Sequence, residues 1–239
     1  MNENLNTGEM NAPKQGFFAW LDNFWYHYKW HSIAALFLIF TITVCSFQMC
    51  QKESYDIHIL YAGNHAFSRQ SVDADTPEYI KAKNTLSRFV SDYDENGEVN
   101  ISLRDLFIPR EEDMKNLSEN EYSRAYDDRT SLSTLMLSGE HFLCFLDPEI
   151  YEYYRESGRL ASIKALLPED LNVEYYDDTG MAVPLFSTEF ASLAGFANLP
   201  KDTVICIRSM NFSTHLDKEA NQESFERAKE TLVKILNFK

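Results

Sequence analysis

No Lys, Arg, Asp or Glu occurs between Trp30 and Gln51, and that absence excludes an ordinary solvent-facing helix there. The centre of the stretch, residues 32–49, is long enough at ~1.5 Å per residue to cross most of a bilayer's hydrocarbon core. Nine of those residues are Ile, Leu, Phe or Val, which favours membrane entry by roughly 3–5 kcal/mol on an insertion scale. Enzyme signatures are missing too: there is no GxSxG, HExxH, P-loop or GxGxxG. The histidines are scattered, and no nucleophile–base pairing can be read from the linear order. A non-catalytic protein without a cofactor is expected. The four cysteines show no CxxC or Cys/His spacing, so neither a zinc site nor a disulfide scaffold is indicated. Cys45 and Cys50 belong to the apolar segment. Cys144 and Cys206 lie in apolar runs that read as buried strands, where a free thiol acts as a small hydrophobe; whether they face each other stays open.

Positive charge is also scarce, with 22 Lys and Arg against 37 Asp and Glu and a net charge of -15. The first 50 residues hold Lys14 and Lys29 against Glu3, Glu9 and Asp22, so nearly all of this excess lies beyond them. Such an acidic body has little reason to approach nucleic acid, because like charges repel within a Debye length.

What is present is an aromatic girdle. Trp20, Trp25, Tyr28 and Trp30 precede the apolar run and suit the membrane interface, where an apolar ring and a polar N–H or O–H are both satisfied. The run begins past residue 30 and ends in Phe47-Gln48-Met49-Cys50, with no small-residue cleavage site, so an uncleaved anchor is expected. The predicted organisation is a polar, disordered arm over 1–16, an interfacial aromatic helix over 17–31, a transmembrane helix over 32–50, and an extracytoplasmic domain over 51–239. Lys14 and Lys29 before the span against Lys52 after it place the N-terminus in the cytoplasm and the larger domain outside the cell membrane. His27 and His31 are four apart, but no third metal ligand is near.

Beyond the anchor, strands over 55–61, 99–108, 141–146, 181–186 and 203–208 alternate with helices over 77–93 and 121–138, one opening at Asp147-Pro148, and one over 217–236. That order predicts an α/β domain with a mostly parallel sheet flanked by helices. Gly139 suits a left-handed helix cap, and Asp147 with Pro148 suits an N-cap followed by N1.

Three local features bear on function. Asp92, Asp94, Asn96 and Gly97 match the first half of a calcium loop, but the twelfth position, normally a bidentate Glu, is Leu103. A turn is the better reading, since turns use the same residues. Open α/β sheets bind ligands beyond the carboxyl ends of their strands. Asn64, His65, Arg110, Arg208, Ser209 and Asn211 follow predicted strands and suit a small polar solute or peptide, while Asp147 reads as a cap. Finally, Tyr151, Tyr153 and Tyr154 form a tyrosine-rich helix, with core packing as the default for Tyr151 and Tyr154.

The aromatic lead FWYHYKWH, then YDIHILYAG, the turn DENGEVNISL, and HFLCFLDPEIYEYY leading to GRLASI resemble a group of single-pass membrane proteins from clostridia-type bacteria. Their outer domain is in turn similar to one lobe of type 2 extracytoplasmic solute-binding proteins. Phe142 to Asp147 and Gly180 to Leu185 match that family's strand-to-helix and Gly-x-x-x-Pro-Leu elements. The resemblance implies a periplasmic-binding-protein-like lobe that holds a solute for a membrane transporter or sensor subunit. Two departures stand out: the outer region is short for two lobes, and the anchor is a helix rather than a lipidated cysteine. An accessory protein docking another membrane protein without a small ligand is the alternative.

Overall fold

A computed structural model describes residues 16–50, 54–67, 76–138, 140–168, 171–212 and 218–239. The polar arm expected over 1–16 lies outside the described residues except for Gly16, as do Lys52 and Gly139. The chain divides into two compact units, Met1–Glu53 and Ser54–Lys239.

The first unit contains α1 (Phe17–Cys50), one continuous 34-residue helix. The separate interfacial and spanning helices expected to meet near residue 31 are therefore a single element. Neither Gly nor Pro occurs within it, so no residue interrupts the i to i−4 ladder. Asn23–Ser46 is long and apolar enough to cross a membrane. Residues four apart share a helix face: Trp20 stacks on Phe24 at 5.7 Å, and Phe24 on Tyr28 at 5.3 Å.

The second unit is α/β. In chain order it contains β1 (Ile57–Gly63), α2 (Pro77–Leu86), β2 (Ile101–Phe107), α3 (Glu119–Ser138), β3 (His141–Leu146) and α4 (Pro148–Glu156). The short α5 (Ile163–Leu166), β4 (Ala182–Pro184), β5 (Val204–Ile207) and α6 (Lys218–Leu236) complete it. The five strands form one sheet in the order β2-β1-β3-β5-β4. β1 is parallel to β2 and β3, whereas β5 is antiparallel to both β3 and β4. The sheet is thus mixed, with β5 reversed. The chain returns from β4 to β5 through short 3-10 turns and not through the long helical crossover that a parallel return requires.

Both faces are covered. On one, Ala82 and Leu86 of α2 and Phe225, Ala228, Leu232 and Ile235 of α6 pack on Ile59, Tyr61, Leu143 and Phe145. On the other, Leu132 and Met136 of α3 and Tyr151 and Tyr154 of α4 pack on Leu60, Ala62, Leu146 and Cys206. β3 is buried along its whole length, as a doubly covered central strand should be. α2 stops at Leu86, short of the predicted residue 93. Its last N–H groups turn to nearer carbonyls (Arg88 N to Thr85 O, Phe89 N to Leu86 O), and Phe89 and Val90 reach the core from that turn.

Candidate functional site

The parallel trio β2-β1-β3 ends at one level of the sheet, with Gly63 opposite Phe107 and Ala62 opposite Leu146. The next residues carry the ladder on, as Ile108 N donates to Gly63 O and Asp147 N to Ala62 O. Strand register alone therefore collects Asn64, Arg110 and Asp147 at one edge. Asp147 occupies the N-cap position of α4 but makes no side-chain cap bond. Its Oδ2 instead accepts the Asn64 backbone N–H at 2.9 Å and lies 3.5 Å from Arg110 Nη2. Arg110 Nη2 also donates to both carboxylate oxygens of Asp202, at 2.8 and 2.7 Å. Asn64 Nδ2 donates to Asp113 Oδ2 at 2.7 Å, and His65 N to the Tyr61 hydroxyl at 3.2 Å.

This edge is electrostatically tense. Asp147 is buried, and its Oδ1 has no hydrogen-bond partner among the described residues. Burial raises its pKa above the ordinary carboxylate value, against the lowering effects of the Asn64 N–H and Arg110. The Tyr61 hydroxyl is pushed well up by burial and then by the Asp147 charge. Arg110 is held protonated more firmly than usual, first by Asp202. Gly63 is required here by space, since a Cβ would collide with Asp147 Oδ1 and come within 2.7 Å of the Tyr61 hydroxyl.

Two clefts flank the edge. One, of about 230 Å³, is lined by Asn64, His65, Ala66, Phe107, Glu121 and Arg124. The other, of about 420 Å³, is lined by Arg110, Glu111, Glu112, Pro148, Glu149 and Asp202. Arg124 is fixed by Asp128 at 3.1 Å and Asp105 at 3.4 Å, and Asp128 also accepts the Phe107 N–H at 2.8 Å. Asp128 is thus a buried anchor for both. Beside Ala66, Phe107 and Pro148, the lining of the two clefts offers an amide, carboxylates, guanidinium groups and an imidazole, a set suited to hydrogen bonding and charge recognition.

The structure thus brings together Asn64, His65 and Arg110 of the predicted set. It does not bring Arg208, Ser209 and Asn211 to them. β5 is reversed, so these residues emerge at the opposite edge, where β3 begins. Arg208 is buried there, donating to His141 O and Met136 O at 3.2 Å each, with its guanidinium 4.2 Å above the Phe142 ring. Ser209 N donates to Arg159 O, and Asn211 N to Ser209 Oγ. Arg208 and Ser209 are buried at that edge, and Asn211 is exposed beside them. Sequence reasoning missed the turn of Asp147 toward β1; the available signal was an Asp directly after one buried strand and a Gly closing its neighbour.

Asp92, Asp94 and Asn96 form the expected turn. Asp92 accepts from Asn96 N and Gly97 N, and Gly97 has φ +89, a left-handed value that favours glycine. Leu103, the absent twelfth ligand, is buried in β2. Asp56, unnoticed in the sequence, brings a third carboxylate within 4.8 Å of Asp92 and Asp94. Its oxygens are engaged by Tyr93 N and Asn100 N, both at 2.7 Å.

No family model, curated protein or solved structure matches this chain.

Proposed function

We propose that the chain is a single-pass, membrane-anchored protein whose acidic α/β domain lies outside the cell membrane and holds a small polar solute or peptide, without catalysis, for a transporter or sensor. The single observation that supports this reading is the convergence of Asn64, His65, Arg110 and Asp147 at the carboxyl ends of β1, β2 and β3, between two clefts. Ligands of open α/β sheets bind at such ends, where strand order reverses, and here β1 sends its chain to β2 on one side and has β3 on the other. Arg110, Glu111 and Glu149 offer both signs of charge to a zwitterion or a peptide backbone.

A second reading, a scaffold that docks another membrane protein, is favoured by one feature. A cleft of about 410 Å³ between α3 and α4 is lined by Ile108, Leu132, Ile150 and Tyr153 among others. Tyr153 is 67% exposed, and Tyr is enriched at interface hot spots.

Thermal unfolding of the detergent-solubilised full chain against a panel of amino acids, sugars, polyamines and short peptides separates the two. A bound solute raises the midpoint by a stabilisation of RT ln(1 + [L]/Kd), about 2.7 kcal/mol at a hundredfold excess over Kd. A midpoint unmoved across the panel, with Arg110→Ala likewise without effect on any binding signal, would reject the solute-binding reading.

A further inference from the structure

We propose that Cys144 and Cys206 are a reversible dithiol–disulfide pair that cross-links β3 to β5. The two residues stand directly opposite each other on antiparallel strands. Opposed residues of such a ladder point to the same face, and both thiols belong to the apolar layer beneath α3 and α4. Both are free and fully buried.

The ladder supplies the spacing. Arg208 N donates to Phe142 O at 2.9 Å, which makes Phe142 and Arg208 a hydrogen-bonded pair. Such pairs recur every second residue, so Cys144 and Cys206 are another, with Cα atoms ~5.5 Å apart. That separation sits within the ~4.4–6.8 Å range of disulfides. Their Cβ atoms, at the ~5.5 Å end of the range for opposed residues, must draw in by ~1 Å or more to reach the usual ~3.5–4.5 Å. A bond formed under such strain is more readily reduced than a relaxed structural disulfide, so the pair is a switchable link.

Its chemistry is thiol–disulfide exchange with a low-molecular-weight disulfide such as glutathione disulfide. One cysteine gives its proton to water and its thiolate attacks a glutathione sulfur, releasing one glutathione thiolate and leaving a mixed disulfide. The second cysteine gives its proton to the released glutathione thiolate, attacks the protein sulfur of that mixed disulfide, and releases the other glutathione thiolate, which takes up the first proton from water. Two protein thiols are oxidised and one small disulfide is reduced. Access requires α4 to lift, since Tyr151 and Tyr154 cover this layer; burial also keeps the Cys206 thiol protonated, so exchange follows opening of the helix.

The test uses the full chain in detergent, treated with glutathione disulfide with and without sub-denaturing urea. The sample is then unfolded, blocked with N-ethylmaleimide and digested without reduction. The expected product is one cross-linked peptide pair containing Cys144 and Cys206, lighter by two hydrogens than the sum of its parts. Dithiothreitol restores both cysteines to alkylation. Complete alkylation of both after oxidation in urea would overturn the proposal, as would stable glutathione adducts at either site or equal linkage to Cys45 and Cys50. Because the wild-type chain carries the readout, the outcome does not depend on the folding of Cys206→Ser, which is expected to leave Cys144 unlinked.

Discussion

Asp147 holds a charge where its surroundings resist one. Its Oδ2 is useful, accepting Asn64 N–H and facing Arg110, while its Oδ1 is buried without a partner among the described residues. The two roles can be separated by substitution. Asp147→Asn keeps an acceptor and removes the buried charge; Asp147→Ala leaves the Asn64 N–H without its acceptor, at a cost of about 1–3 kcal/mol. The alanine variant should therefore be less stable than the asparagine variant by about 1 kcal/mol or more in urea unfolding. At the opposite edge, His141 is buried, with Nδ1 unpartnered among the described residues. Burial, then His58, Arg104 and Arg208, push its pKa down to about 3. Below the ordinary imidazole value of ~6.5 the unfolded chain gains a proton that the folded chain refuses, so stability falls as pH drops from there toward 3, by up to ~1.4 kcal/mol per pH unit. The difference in unfolding free energy between His141→Gln and the wild type should shift in favour of the variant across that window. A pH-independent difference would contradict the assignment. Asn64, His65 and Arg110 were legible because each follows an apolar strand; Arg208 misled because an apolar run does not encode strand direction.

At the scale of elements, α3 shows a signal that apolar periodicity overlooks. It begins at Glu119, two residues before the position predicted from its pattern, because Ser118 and Glu121 form a reciprocal cap. Ser118 N donates to Glu121 Oε2 at 2.9 Å, and Glu121 N to Ser118 Oγ at 3.4 Å, the arrangement of a capping box. Ser118→Ala should cost about 1 kcal/mol, read as a lowered melting temperature of the full chain, and Ser118→Thr should restore most of it. Helix starts marked by Thr76-Pro77 and by Asp147-Pro148 were readable for the same reason: Pro at the first helical position needs no N–H. The reversal of β5 and the early end of α2 were not. Both depend on tertiary packing, through the short return from β4 to its neighbour β5 and the reach of Phe89 into the core, and no local pattern reports either.

For the whole molecule, one helix and one domain divide the labour. α1 exposes Leu36, Phe37, Ile39 and Phe40, an apolar surface of the kind that marks a membrane or protein contact, whereas the second unit packs apolar cores on both faces of its sheet. The organisation into one long apolar helix and an α/β body was legible from the uncharged stretch and the order of strands and helices, since both are properties of long segments. Insertion of α1 into lipid underlies every functional step proposed for the domain, and alkaline carbonate extraction of vesicles carrying the full chain probes it without intermediaries. The chain should stay in the pelleted membranes; its release into the supernatant would show that α1 is no anchor.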